Sequence, residues 1–185
     1  MNLVWLDLET EGLVPADCNI LEIAVSMADL ATPFDATPVY HAAMCIDPGR
    51  PAWLQKTNAY VYEMHVKNGL FAECVSDRAV DFRAVERALL DIIPWVEDKE
   101  ERPTLAGSSI HFDHAFLKHW MPTLAQRLSH RHYDVSAVKL FCQSLGMEKP
   151  AKAEAHRARE DILESIAHAK RCAEWLVPNR PSGVL

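Results

Sequence analysis

The chain has 185 residues, 49% of them hydrophobic and 24% charged, with a formal net charge of −7. That length supports one globular domain with a sizeable core, and the negative balance argues against a broad basic face tracking a long nucleic acid polymer. It does not argue against an acidic site that meets nucleic acid through divalent cations, which bring their own positive charge.

In chain order, residues 2 to 8 read as a buried strand and ILEIAVSMADL, 20 to 30, as a second, with the turn-rich TEGLVPADCN between them. A third strand is predicted around 37 to 46, while 47 to 76 is poorly patterned. Val80, Phe82, Val85, Leu89, Ile92, Ile93 and Val96 recur at helical spacing, so a helix is predicted over 78 to 96. A short strand, PTLAGSS, follows, then a helix interrupted near Pro122, then SAVKLFCQSLG as a helix ended by Gly146. From 157 to 176, Ile162, Ile166, Ala169, Ala173 and Leu176 give one apolar helical face, and PNRPSGVL, 178 to 185, reads as a frayed tail. Strands early and helices late suggest a mixed α/β sheet with helices packed on it, a single domain over 1 to 177.

Five cysteines without a Cys-x-x-Cys pair argue against a disulfide framework or zinc ribbon and point to a reduced, cytoplasmic setting. No apolar run nears the roughly 20 residues that span a bilayer, and no basic leader precedes MNLVWLDLE, so neither export nor a membrane anchor is expected.

Candidate chemistry starts at VWLDLETEG. Asp7 and Glu9 sit at i and i+2 of a strand, so they share a face. Two carboxylates that close favour protonation of one unless a cation lies between them, and oxygen donors suit Mg²⁺ or Mn²⁺. The plainer alternative is a solvated pair at a strand end. Asp113, in GSSIHFDHAFL, stands at a helix start, where it is either a cap or part of a site. Asp161, in HRAREDILESI, adjoins apolar Ile162 and so lies near the core seam. His156 is five residues earlier, about 140° away on a continuous helix. It can share a site with Asp161 only from the loop before that helix, and KPAKAEAH is suited to a mobile lead-in. There His156 is either a general base or an exposed loop residue.

Taken together, DLETEGL (7 to 13), GSSIHFDHAFL (107 to 117) and HRAREDI (156 to 162) resemble the three motifs of the DEDDh 3′-to-5′ exonucleases of the ribonuclease H-like superfamily. MHVKNGL (64 to 70) and HRHYDVSAVK (130 to 139) are similar to segments of the oligoribonuclease family, and the resemblance covers roughly residues 2 to 176. It implies a mixed five-stranded sheet flanked by helices. Asp7, Glu9 and Asp161 would be direct ligands of two divalent cations, Mg²⁺ or Mn²⁺. Asp113 would complete the acidic metal cluster, and His156 would deprotonate the attacking water. It further implies that Leu13 wedges between bases, that Tyr60 replaces a stacking Trp, and that His65 and Ser109 contact substrate. Arg131 and Ser136 would cap a 5′ phosphate, Arg131 from the other subunit of a homodimer.

The implied activity is hydrolysis of short single-stranded oligoribonucleotides to nucleoside 5′-monophosphates. Several positions depart from the family pattern: Glu11 replaces a Thr, Ser108 an Asn, His111 and Phe112 a Gly and a Gln, and His130 a Tyr. These keep open a broader single-strand exonuclease acting on DNA or RNA. A catalytically silent nucleic-acid-binding relative is the remaining alternative.

Overall fold

The computed structural model describes residues 2–149 and 156–177. Its strands are β1 (Asn2–Thr10), β2 (Ile20–Asp29), β3 (Thr32–Ala43), β4 (Thr104–Gly107) and β5 (His132–Asp134). Its helices are α1 (Arg50–Thr57), α2 (Ala59–Lys67), α3 (Leu70–Cys74), α4 (Phe82–Ile92), α5 (His111–Trp120), α6 (Pro122–Ala125), α7 (Val135–Ser144) and α8 (Ala158–Leu176).

Four consecutive residues of β1, Leu3 to Leu6, are buried, and a strand apolar at successive positions must be covered on both faces. The fold meets this by placing β1 centrally in a five-stranded sheet of order β3-β2-β1-β4-β5. β1 pairs antiparallel with β2 and parallel with β4, β2 pairs antiparallel with β3, and β4 pairs parallel with β5. This is the mixed α/β sheet expected from the sequence.

Alternation along β1 divides the core in two. Val4 and Leu6 pack with Ile23, Val25 and Leu105 under Val85 and Leu89 of α4 and Phe116 and Leu117 of α5. Leu3 and Trp5 pack with Ala24 and Ala106 under Val135 of α7 and Ala158, Ile162 and Ala169 of α8. The odd-numbered face of β1 is therefore the α8 face, which fixes where Asp7 and Glu9 point.

The caps explain several boundaries. Asp81 accepts from the Arg83 amide at 3.0 Å and starts α4 later than 78, and Asp134 accepts from the Ser136 amide at 2.8 Å to start α7. The break between α5 and α6 falls at Met121, since a residue before proline is disfavoured in the helical region. Three elements depart from the sequence reading. Residues 50 to 74 form three short helices where little pattern was legible. β3 begins at Thr32, five residues before its predicted start, because it is a largely exposed edge strand carrying Pro33 and Pro38 and so lacks a hydrophobic signature. The three-residue β5 is too short to show periodicity. The predicted tail, 178 to 185, lies outside the described residues, as does 150 to 155 of the lead-in to His156.

Candidate active site

Asp7 and Glu9 leave the end of β1 on the α8 face, and Asp161 enters from the first turn of α8, held there by burial of its neighbour Ile162. One carboxylate oxygen from each lies within 4.8 Å of the other two. Asp113 is not one of the three. It reaches β1 from α5, and its Oδ1 accepts from the Leu8 amide at 2.9 Å. Asp113 thus pins the peptide between the two β1 acids, while still adding to the local negative charge.

That charge is expensive to bury. Desolvation, followed by the fields of Asp113, Glu9 and Asp161, holds the Asp7 carboxyl well above the usual range. Burial and then the Asp161 and Glu22 charges push Glu9 up to about 8. Burial raises Asp113 to about 7 despite the Leu8 amide. It raises Asp161 to about 6 even though His156 opposes the shift. Three mutually repelling carboxylates, with no lysine or arginine among them in the described residues, form an oxygen-donor set that fits a hard divalent cation.

His156 lies before α8, in the loop position that the helical geometry requires, and near enough to Asp161 to affect its ionisation. The His156 carbonyl accepts from Asn68 Nδ2 at 2.5 Å. His65 is fully buried, with Nε2 3.8 Å from Glu9 Oε2, and its ring meets Phe71 edge-on at 5.4 Å. Burial drives its pKa down to about 4, so the ring is neutral. His65 thus stands behind Glu9, enclosed by the protein.

The cleft beside the acids is lined by Asp7, Leu13, Ser108, Ser109, Phe112 and Asp113, among others. Leu13 and Tyr60 are 73% and 71% exposed, free to meet a ligand. Ser109 and Ser136 come together, with Ser109 Oγ donating to Ser136 Oγ at 3.0 Å. Ser109 takes the left-handed conformation at φ 56, and its amide is bound by Asp134 Oδ1 at 3.1 Å. Arg131 does not line this cleft; it is exposed and pairs with Glu100.

The unusual residues find structural roles. Glu11 is buried and accepts from Arg50 Nε at 2.8 Å and Nη2 at 2.6 Å, and from the Asn19 amide at 2.8 Å. It clamps the first-motif loop to α1. Ser108 Oγ pairs with Ser165 Oγ of α8 at 2.8 Å. Phe112 is 44% exposed in the cleft and stacks against His111 at 4.3 Å, while His130 is exposed away from it. Sequence reasoning missed Glu22 and Arg157. The available signal was a lone glutamate inside the apolar run ILEIAV, which must find a cation when buried.

Fold and acids together define a nuclease. A family model described as Exonuclease matches residues 4–168. An oligoribonuclease of Colwellia psychrerythraea is 32% identical over 173 residues, covering 91% of this chain and 92% of its own. One from Francisella tularensis subsp. novicida is 34% identical over 173 residues with the same coverage. The chain belongs to the exonuclease family and, within it, to the oligoribonucleases. Among solved structures, the zinc-bound complex of E. coli exonuclease I with single-stranded DNA superposes with a TM-score of 0.61 at 13% identity. The alignment covers 98% of this chain and 41% of that one. The complex of the same enzyme with a dT13 oligonucleotide gives 0.60 at 14%, covering 97% and 44%. The chain thus spans about two fifths of those structures, which share its fold. The exonuclease family depends on divalent metal, and Asp7, Glu9 and Asp161 are the group able to hold it among the described residues.

Proposed function

We propose that this chain is a 3′-to-5′ exoribonuclease that hydrolyses very short single-stranded oligoribonucleotides to nucleoside 5′-monophosphates. The observation that carries the reading is the convergence of Asp7, Glu9 and Asp161 within 4.8 Å, each carboxyl held above its ordinary range by burial and by its acidic neighbours, beside a cleft walled by exposed Leu13. The names and full-length coverage of the curated relatives support the substrate class.

The three carboxylates would hold two cations, Mg²⁺ or Mn²⁺, with Asp113 keeping the Leu8 peptide in place. Bound there, divalent charge stabilises both the attacking and the leaving oxygen of an in-line displacement. His156 takes a proton from water, the water oxygen bonds to the terminal phosphorus, and the bond from phosphorus to the preceding ribose O3′ breaks. The products are a nucleoside 5′-monophosphate and a chain one residue shorter. Leu13 and Tyr60 offer apolar and aromatic surface to the bases, and Ser109 with Ser136 offers hydroxyls to a 5′ phosphate. Arg131, which lies outside the lining of its own cleft, completes that cap from the second subunit of a homodimer. The setting is cytoplasmic, and among the described residues no helix is long and apolar enough to cross a membrane.

The test is hydrolysis of end-labelled dinucleotide, 5-mer and 20-mer RNA and their DNA counterparts in Mn²⁺ or Mg²⁺, with EDTA controls. Rapid cleavage confined to the shortest RNA and lost in EDTA supports the reading. Rates independent of length would replace it with a general single-strand exonuclease.

A further inference from the structure

Glu22 is fully buried on β2, directly across from Glu9 in the strand register. Its cation is Arg157: Nε donates to Glu22 Oε1 and Oε2 at 3.1 and 3.2 Å, and Nη2 donates to Oε1 at 2.8 Å. The same guanidinium grips Glu73 of α3, with Nη1 3.1 Å from Oε1 and Nη2 2.8 Å from Oε2. A planar fork shared by two carboxylates fixes its own backbone more tightly than a point charge would.

The residues on either side are tied as well. The Ala158 amide donates to Glu22 Oε2 at 2.9 Å, and the His156 carbonyl is held by Asn68 Nδ2 at 2.5 Å. Arg157 Nη1 reaches the Asn68 carbonyl at 3.3 Å, closing the ring of contacts. Within it His156 sits at φ 47, a left-handed backbone that a residue other than glycine keeps only when its surroundings hold it there.

We propose that Arg157 is a positioning residue for His156. By joining the start of α8 to β2 and α3, it holds the imidazole within reach of a water at the Asp7, Glu9 and Asp161 cluster. This rests on the reading of His156 as the general base, and the test separates the two.

Single-turnover hydrolysis of a dinucleotide would be measured for Arg157→Ala, His156→Ala and the double variant, with Mn²⁺ affinity by calorimetry. Misplacing a catalytic group by about 1 Å costs about a hundredfold, so Arg157→Ala should lose about that in rate, with KM and Mn²⁺ affinity changed far less. The double variant should be no slower than His156→Ala, because Arg157 acts through that ring. Guanidinium ion in the tens of millimolar should partly restore Arg157→Ala and leave His156→Ala unaffected. Glu73→Gln, which removes only the more exposed half of the clamp, should show a smaller loss of the same kind and serves if Arg157→Ala fails to fold. Multiplicative losses in the double variant, or loss of Mn²⁺ affinity in step with rate, would overturn the proposal. Full activity of His156→Ala would instead overturn the general-base reading.

Discussion

Glu9→Gln should make the metal-free protein more stable at pH 8 while abolishing its activity. Glu9 is 7% exposed, and its carboxyl rises from an ordinary 4.5 to about 8 through burial and the Asp161 and Glu22 charges. Between those two pH values the folded chain keeps a proton that the unfolded chain releases, so wild-type stability falls as pH rises and levels off above 8. At about 1.4 kcal/mol per pH unit, the penalty reaches about 3.5 kcal/mol by pH 7 as an upper figure, since the clustered acids share their protons. For a chain of this size that is about 7–14 °C in Tm. The assay is thermal melting of wild type and Glu9→Gln at pH 5, 6, 7 and 8, in EDTA and in Mn²⁺. The two proteins should melt together near pH 5 in EDTA and diverge upward with the variant ahead. Mn²⁺ should raise the wild type steeply at pH 8 and the variant little. A variant that melts below wild type at pH 8 in EDTA would refute the claim that Glu9 is held at a cost until a cation arrives.

Three further outcomes follow from the same geometry. Asp161→Ala should abolish turnover and weaken Mn²⁺ binding by calorimetry. His156→Ala should keep Mn²⁺ affinity while slowing hydrolysis about 10²- to 10⁴-fold. Arg50→Met strands the fully buried Glu11 carboxylate; because the Arg50 side chain is 25% exposed, the loss should fall near about 3 kcal/mol, read as a Tm drop of about 6–12 °C.

The sequence was most legible where burial is two-sided or periodic. β1 and β2 are continuous apolar runs, and α8 carries a regular stripe, so their positions followed from pattern alone. The acids and His156 were legible because DLETEGL, FDHAFL and HRARED keep recognisable spacing. What stayed hidden depends on contacts between distant segments. The α1 to α3 region is held by Glu11 with Arg50 and by Arg157 with Glu73, which join residues 39 and 84 apart. No local window contains such pairs. His65 shows the other limit: a motif match names a position, but only the packing of Phe71 and Glu9 around it shows that the ring faces inward.

The register pair Glu9 and Glu22 shows how the fold separates structure from chemistry. Both carboxylates lie on the α8 face of neighbouring strands, and both are buried. Glu22 has its counter-charge in the chain: hydrogen bonds from Arg157, the Ala158 amide and His41 outweigh burial and hold it below the usual carboxylate range. Glu9 has no such bond among the described residues, and burial with the Asp161 and Glu22 charges raises its carboxyl to about 8, while the neutral His65 behind it supplies no charge. Arg157 does lower Glu9, but its fork is already committed to Glu22 and Glu73. One acid is therefore fixed as scaffold, and the other is left short of positive charge beside Asp7 and Asp161. That shortage gives a diffusible divalent cation a reason to bind at Glu9 and none to bind at Glu22.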